Sequence, residues 1–153
     1  MTERRQMSTN EIQIVLVEDD DNDAELITRT LRKRNLTNHI VRLKNGAEAL
    51  DYLLMEGSFV NRVPDDIPMV VLLDLKLPKI DGIEVLRRMK QDERTKNIPV
   101  VMLTSSNQER DIKAAYELGV NSYVTKPIKF DEFAKAVTEL GMYWLMLNIP
   151  PVK

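Results

Sequence analysis

A chain of 153 residues can form one domain with a substantial core, and its 43% hydrophobic and 30% charged residues are typical of a globular protein. The 22 Lys and Arg residues nearly balance 24 Asp and Glu residues, which argues against a dedicated binder of nucleic acid or anionic membranes. The absence of cysteine excludes disulfides, thiol nucleophiles and thiolate metal sites. Because no apolar run could span a bilayer and the N-terminus lacks a signal-peptide pattern, we expect a cytoplasmic protein.

Short apolar segments alternate with helical patterns along the chain. Residues 1–10 are polar and are expected to be a disordered extension, whereas residues 11–153 are expected to form one domain. Strands are predicted over residues 12–17, 39–43, 69–73, 99–103 and 120–125. Five helices are predicted. The first covers residues 23–35, the third follows Gly82 and the fifth covers residues 131–147. The second runs from an N-cap at Asn45 to Gly57 with Ala47, Leu50 and Leu54 as its apolar stripe, and the fourth runs from a Ser106–Glu109 capping box to Gly119.

This alternation of strands and helices predicts an α/β fold in which a parallel sheet is covered by helices on both faces. Right-handed crossover connections leave few topologies open. The simplest is a five-stranded, doubly wound, flavodoxin-like sheet in the order 2-1-3-4-5 with five helices.

Four of the five predicted strands end in polar groups, namely Glu18 with Asp19, Asp74, Thr104 and Lys126. In doubly wound sheets the ligands bind outside the carboxyl ends of the strands. These groups lie far apart in the sequence, yet the predicted fold would make them neighbours. We therefore expect the functional site at this edge.

The chemistry of this edge follows from its charges. Three crowded carboxylates repel one another, and a site with oxygen ligands alone favours Mg²⁺, with Mn²⁺ as a substitute. Glu18, Asp19 and Asp74 supply three negative charges, which Mg²⁺ and Lys126 would balance. Asp74 ends the central strand and is predicted to attack phosphorus, giving an acyl phosphate. Lys126 and Thr104 would stabilise the phosphoryl oxygens.

The segments VEDDDND, LLDLKLPKIDG, VVMLTSS and YVTKP closely resemble the receiver family of response regulators, over roughly residues 11–148. The extra loop before the third strand and the tail ELGMYWLMLNIPP are similar to small receivers that partner cyanobacterial phytochromes and bacteriophytochrome kinases. The resemblance implies that a sensor histidine kinase phosphorylates Asp74. It also implies that Asp19 binds Mg²⁺ directly and that Glu18 binds it mainly through water.

The resemblance implies three further features of the site. The backbone carbonyl of Lys76 would be the third protein ligand of the metal, and the peptide between Lys126 and Pro127 would be cis. Thr104 and Tyr123 match the two switch residues that move together on phosphorylation, although Tyr123 could also serve simple strand packing. The side chain of Lys76 departs from the commonest choices at a position that tunes the lifetime of the phosphate.

Three other functions compete with the phosphoacceptor. A phosphatase of the haloacid-dehalogenase type would need a second aspartate where Lys76 stands. A nucleotide or flavin binder would want a glycine-rich first loop instead of EDDDND. A degenerate receiver acting only as an interaction domain would not need the intact acidic site. We therefore expect that the protein is not an enzyme but a phosphoacceptor, which promotes only its own phosphorylation and dephosphorylation.

The last helix predicts how the signal leaves the domain. About 25 residues follow Ile128, too few for a helix-turn-helix, so the output is expected to be a downstream protein target or a phosphotransfer protein. A stripe formed by Phe130, Phe133, Val137, Leu140, Trp144 and Leu147 would pack on the sheet. The remaining apolar residues, Met142, Leu145, Met146 and Ile149, predict a homodimer through this helix.

Overall fold

The computed structural model describes residues 13–36, 39–62 and 67–148, with side chains through residue 140. The strands are β1 (Gln13–Val17), β2 (His39–Leu43), β3 (Val70–Leu73), β4 (Val100–Thr104) and β5 (Ser122–Thr125). The helices are α1 (Asp21–Lys33), α2 (Gly46–Leu53), α3 (Gly82–Gln91), α4 (Glu109–Glu117) and α5 (Phe130–Asn148), with a short 3-10 helix at Gly57–Phe59. The predicted alternation of five strands with five helices is confirmed.

All five strands are parallel and lie in the order β2-β1-β3-β4-β5, as predicted. The register places Val17 of β1 beside Leu73 of β3, and Leu73 beside Met102 of β4. β1 and β3 end at this level and β4 runs two residues further, so the residues that follow the three strands lie at one edge of the sheet. The sheet thereby collects side chains that are up to 108 positions apart in sequence.

The sheet is buried on both faces by alternate residues of its strands. Val71 and Leu73 of β3 join the core beneath α2, α3 and α4, whereas Val70 and Leu72 join the core beneath α1 and α5. Every residue of β1, β3 and β4 is buried, and these strands are apolar except for Gln13 at the start of β1 and Thr104 at the end of β4. The centre of the sheet is therefore a rigid support for whatever follows its strands.

Several local predictions about helices were wrong. Helix α1 begins two residues earlier than predicted, because the side chain of Asp20 accepts a hydrogen bond from the backbone N–H of Asp23. Asn45 caps α2 as predicted, but α2 ends at Leu53 rather than at Gly57. The buried face of α2 is formed by Ala49, Leu50, Tyr52 and Leu53, whereas the predicted stripe residues Ala47 and Leu54 are only half-buried.

The predicted capping box before α4 was also wrong. Ser106 does not cap the helix, which begins at Glu109 behind Gln108. The Ser106 hydroxyl instead donates to Asp111 at 2.5 Å and lies within a loop that is held against the sheet. With Ser106 bonded to Asp111, the loop between β4 and α4 covers residues 105–108 and is longer than the sequence predicts.

Helix α5 packs on the sheet through the predicted stripe as far as its side chains are described. Phe133 and Val137 are buried beneath it, and Phe130 and Leu140 pack against the same core. The helix continues to Asn148, one residue past its predicted end. Trp144, Leu147, the residues of the predicted dimer patch and the N-terminal extension lie outside the described side chains. Among the described residues, no helix is long and apolar enough to cross a membrane.

Candidate functional site

Asp74 directly follows the central strand β3 and is 7% exposed. Its backbone N–H donates to the carbonyl of Val17 at 3.1 Å, which continues the pairing of β3 with β1 past the last residue of the strand. The loop after Asp74 returns closely, since a Cβ at Gly82 would lie 2.1 Å from the carbonyl oxygen of Asp74. Glycine is therefore required at 82, and the start of α3 clamps the backbone of Asp74.

Lys126 lies across the edge of the sheet and joins three carboxylates. Its Nζ is 2.6 Å from Glu18, 2.9 Å from Asp23 and 3.0 Å from Asp74. The side chain is 16% exposed, and its position is set by the backbone, because the N–H of Lys126 donates to the carbonyl of Thr104 at 2.8 Å. One ammonium group thus connects the residues that directly follow β1 and β3 with a residue of α1.

The carboxylates of Glu18, Asp19 and Asp74 form a group in which one oxygen from each residue lies within 4.8 Å of the other two. Glu18 and Asp74 are buried, whereas Asp19 is exposed at the mouth of the group. Oxygen donors at this spacing fit a hard divalent cation such as Mg²⁺ or Mn²⁺. The structure therefore brings together the three acidic residues that the sequence placed at the metal site.

Burial dominates the electrostatics of this group. Desolvation raises the pKa of Glu18 to about 7, against a hydrogen bond from Lys126 that lowers it, and the nearby charge of Asp74 raises it further. Burial alone would lower the pKa of Lys126, but its hydrogen bonds to Glu18, Asp23 and Asp74 raise it above the ordinary lysine value. Lys126 is therefore a permanent cation, while the surplus of negative charge favours a metal ion or a proton on Glu18.

Thr104 and Tyr123 are linked through the loop after β4. The Oγ1 atom of Thr104, which is fully buried at the end of β4, accepts a hydrogen bond from the backbone N–H of Ser106 at 3.3 Å. The hydroxyl of Tyr123 donates to the carbonyl of Ser106 at 2.8 Å, and burial raises the pKa of Tyr123. Residue 106 therefore contacts both side chains that the sequence predicted to switch together.

Lys76 touches the site through its backbone. Its N–H donates to a carboxylate oxygen of Asp74 at 3.2 Å, and its side chain is exposed. Its carbonyl as a metal ligand stays a prediction. The cis peptide between Lys126 and Pro127, which the resemblance implied, is present.

The sequence reasoning missed two contacts at the site. Asp23 lies in the first turn of α1 and binds Lys126, although its position suggested only the usual preference for acids at a helix N-terminus. Arg42 of β2 donates to the backbone carbonyl of Glu18 at 2.9 Å and forms an ion pair with Asp21. The spacing of Asp20 and Asp23, which is that of a capping turn, was the available signal for the position of Asp23.

Comparison with known proteins gives the same fold and family. The model of the response regulator receiver domain matches residues 14–138. A curated relative is the probable methanogenesis regulatory protein FilR2 of Methanothrix harundinacea, which is 45% identical over 90% of this chain and 86% of its own. Response regulator Rcp1 of Synechocystis is 39% identical over 86% of this chain and 88% of its own.

Solved structures of small response regulators superpose on nearly the whole chain. The bacteriophytochrome response regulator AtBRR is 51% identical, with a TM-score of 0.75, over 90% of this chain and 98% of its own. Two further structures, each 38% identical over 92% of this chain and 99% of their own, are Rcp1 with bound Mn²⁺, at a TM-score of 0.74, and the phosphorylated cyanobacterial phytochrome response regulator RcpA, at 0.75.

The extent of these matches leaves no large part of the described domain outside the family. The match runs from the second residue of β1 into α5 and therefore includes Asp74 and Lys126. The chain belongs to the response regulator receiver domain family, and it is a phosphoacceptor of two-component signalling.

Proposed function

We propose that Asp74 is the residue that accepts the phosphoryl group, from a sensor histidine kinase, and that Lys126 and Thr104 assist the transfer. The observation that carries this assignment is the contact of Lys126 with Asp74 at 3.0 Å at the end of the central strand. Of the three carboxylates on Lys126, Asp74 alone follows the middle of the sheet, between β1 and β4. An incoming group can approach it from the carboxyl edge.

The proposed step exchanges one bond to phosphorus for another. A carboxylate oxygen of Asp74 bonds to the phosphorus of a phosphohistidine while the P–N bond breaks, and the electron pair of that bond returns to the imidazole nitrogen. Negative charge stays on the phosphoryl oxygens throughout. The ammonium of Lys126 and the hydroxyl of Thr104 are positioned at this edge to stabilise it.

We propose Mg²⁺ as the resident metal, held by Glu18, Asp19, Asp74 and the backbone carbonyl of Lys76. The close spacing of the three carboxylates supports this assignment, and so does the Mn²⁺ in Rcp1. When bound, the ion would neutralise the carboxylate charge and withdraw electron density from the phosphoryl oxygens. Lys76 already donates its N–H to Asp74, so its carbonyl belongs to the same turn of backbone.

We propose that Thr104 and Tyr123 carry the signal from Asp74 to the surface of α4, β5 and α5. The contacts of both side chains with Ser106 support this coupling, since a shift of Thr104 toward a phosphoryl oxygen would disturb the loop that Tyr123 binds. Amide exchange with and without beryllium fluoride should show altered protection across residues 104–130. Unchanged protection would rule out the switch.

The assignment of Asp74 is tested with acetyl phosphate and Mg²⁺, followed by intact mass spectrometry. The wild type should gain one phosphoryl group, and Asp74→Asn should gain none, because an amide cannot replace the carboxylate nucleophile. Asp81→Asn is the matched control, since Asp81 is an exposed N-cap of α3 and asparagine caps equally well. Full labelling of Asp74→Asn, or labelling that persists in a chelator, would contradict the proposal.

We propose a phytochrome-type sensor kinase as the partner, because AtBRR is named a bacteriophytochrome response regulator and RcpA a cyanobacterial phytochrome response regulator. The expected output is a downstream protein or a phosphotransfer protein, and the expected compartment is the cytoplasm. A phosphotransfer screen against histidine kinases of the same genome should show one or a few fast donors. Equal rates with every kinase would contradict a dedicated partner.

We also propose that residues 11–153 are the receiver domain and that its C-terminal helix forms a homodimer. The length of α5, which reaches Asn148, supports an interface beyond the part that covers the sheet. Met146→Asp should weaken the dimer in sedimentation velocity and leave phosphorylation of Asp74 intact. A wild type that is monomeric with and without beryllium fluoride would refute the dimer.

A further inference from the structure

Asp23 is the contact of Lys126 that neither the acceptor nor the proposed metal site requires. Its carboxylate lies 2.9 Å from Nζ and is 38% exposed. It is not a member of the group formed by Glu18, Asp19 and Asp74, in which one oxygen from each residue lies within 4.8 Å of the other two. Asp23 therefore binds the lysine from outside the metal site.

The three hydrogen-bond donors of a lysine ammonium are all engaged here, by Glu18, Asp23 and Asp74. Two of these partners have other demands in the proposed reaction. Glu18 belongs to the carboxylates that fit a metal ion, and an oxygen of Asp74 becomes part of the acyl phosphate. Asp23 alone keeps its carboxylate available to Lys126 before and after transfer.

The backbone holds Asp23 firmly in place. Asp23 is the third residue of α1, and its N–H donates to the capping side chain of Asp20 at 2.8 Å. The next residue, Ala24, and Ile27 one turn later are buried beneath the helix. The backbone that carries the short Asp23 side chain is thus fixed, whereas the lysine that it binds has a long flexible chain.

A cavity beside Lys126 explains why the contact with Asp23 matters. A cavity of about 160 Å³ lies between α1 and the start of α5, lined by Asp23, Lys126, Pro127, Ile128 and others. Without a partner on this side, the ammonium could turn into the cavity and away from Asp74. The contact with Asp23 holds it at the edge of the sheet.

We propose that Asp23 is a positioning residue for phosphoryl transfer, which keeps the ammonium of Lys126 over Asp74 when Glu18 and Asp74 turn to the metal and the phosphoryl group. This inference rests on the proposed function of Asp74. In the reaction with acetyl phosphate, an oxygen of Asp74 bonds to phosphorus as the P–O bond to acetate breaks, and acetate leaves with the electron pair. Asp23 acts on this step only through Lys126.

The test measures the initial rate of phosphorylation by acetyl phosphate as a function of Mg²⁺. Asp23→Ala should lower the rate at saturating Mg²⁺ about five- to tenfold and leave the Mg²⁺ concentration for half-maximal rate within about twofold. Asp21→Ala is the matched control. Asp21 lies in the same helical turn as Asp23, but its carboxylate pairs with Arg42 instead of Lys126. This control should change both quantities less than about twofold.

Asp23→Asn separates position from charge. Its amide oxygen can accept the same hydrogen bond, so it should recover more than half of the rate that Asp23→Ala loses. The Lys126 ammonium signal in a nitrogen-15 NMR spectrum should be visible in the wild type and should be lost through fast exchange in Asp23→Ala. Equal rates in Asp23→Ala and the wild type, an equal loss in Asp21→Ala, or an unchanged ammonium signal would overturn the inference. A wild type that cannot be phosphorylated at all would instead refute the proposed function.

Discussion

The two ends of the sheet treat a carboxylate in opposite ways. At the carboxyl end, burial raises the pKa of Glu18 to about 7, although it shares the ammonium of Lys126. At the amino end, in the loop that leads from α3 to β4, side-chain and backbone hydrogen bonds from Arg94 lower the pKa of Asp92 to about 2. Both residues pair with a cation, so the presence of a cation does not decide the shift.

The difference lies in how many groups share each cation and how much water surrounds them. Arg94 serves one carboxylate through two guanidinium nitrogens and remains about half exposed. Lys126 serves three carboxylates, two of which are buried. At the amino end, one cation thus balances one carboxylate. The carboxyl end keeps a surplus of negative charge that only a further cation or proton can balance.

Removal of Lys126 should give the largest effect on stability. Lys126→Met leaves Glu18 and Asp74 buried without their cation, so the free energy of unfolding in a chelator should fall by about 3 kcal/mol. Mg²⁺ should recover part of this loss, because a bound ion stabilises the folded state by mass action. Urea unfolding with and without Mg²⁺ measures both effects.

A change at the amino end provides the control. Asn121→Ala removes the side-chain oxygen that accepts from the backbone N–H of Val100 at 2.9 Å, and should cost about 1 kcal/mol. Mg²⁺ should stabilise this variant no more than the wild type. An equal rescue of both variants by Mg²⁺ would remove the distinction between the two ends.

The opposite pKa shifts predict opposite pH dependences in the metal-free protein. Because the folded state raises the pKa of Glu18 from 4.5 to about 7, it holds a proton that the unfolded state releases. The free energy of unfolding should therefore fall as pH rises through this window, by about 2 kcal/mol, and Glu18→Gln should abolish that fall. Urea unfolding in a chelator at about pH 5 and about pH 8 tests this.

Asp92 has the reverse sign and a smaller effect. Its lowered pKa stabilises the fold above the ordinary value of 3.8, and this contribution is lost as pH falls toward about 2. Because the pair with Arg94 is partly exposed, the loss should stay below about 1 kcal/mol. Asp92→Asn should remove it without changing the response between about pH 5 and about pH 8. Parallel pH profiles of the wild type and Glu18→Gln would contradict the account of Glu18, and parallel profiles of the wild type and Asp92→Asn below about pH 4 would contradict that of Asp92.

The metal site predicts a difference between two neighbouring aspartates. Asp19→Asn should weaken Mg²⁺ binding about tenfold or more, because Asp19 belongs to the converging carboxylates. Asp20→Asn should weaken it no more than about threefold, because Asp20 serves as the cap of α1 and asparagine caps equally well. Isothermal titration calorimetry compares them, and equal losses would show that only the net charge of this turn matters.

The sheet and its charged edge could be predicted from sequence because both follow from long-range regularities. Continuous apolar strands indicate burial on both faces, and parallel strands in the order 2-1-3-4-5 place Glu18, Asp19, Asp74 and Lys126 together. Those four residues need only their strand ends to be located within a residue or two. The recurrence of four separated motifs then supplied the family and the site.

The missed features depend on local competition between hydrogen-bond partners. Ser106 matched the pattern of a capping box, but its hydroxyl donates to Asp111 and α4 begins later, at Glu109. The contact of Asp23 with Lys126 exists because Asp20 starts α1 two residues before the predicted start, which aims the third residue of the helix at β5. Neither the partner of Ser106 nor the start of α1 can be predicted from the spacing of apolar residues, because that spacing is the same whichever polar group forms the hydrogen bond.

The most direct test of the phosphoacceptor at the carboxyl edge is to locate the modified residue chemically. The protein is phosphorylated with acetyl phosphate and Mg²⁺, reduced with borohydride, digested and analysed by peptide mass spectrometry. Reduction of an acyl phosphate converts that aspartate to homoserine. We predict homoserine at Asp74, with no conversion when a chelator replaces Mg²⁺. Conversion at Glu18, Asp19 or Asp23 instead of Asp74, or no conversion of a phosphorylated chain, would contradict the assignment.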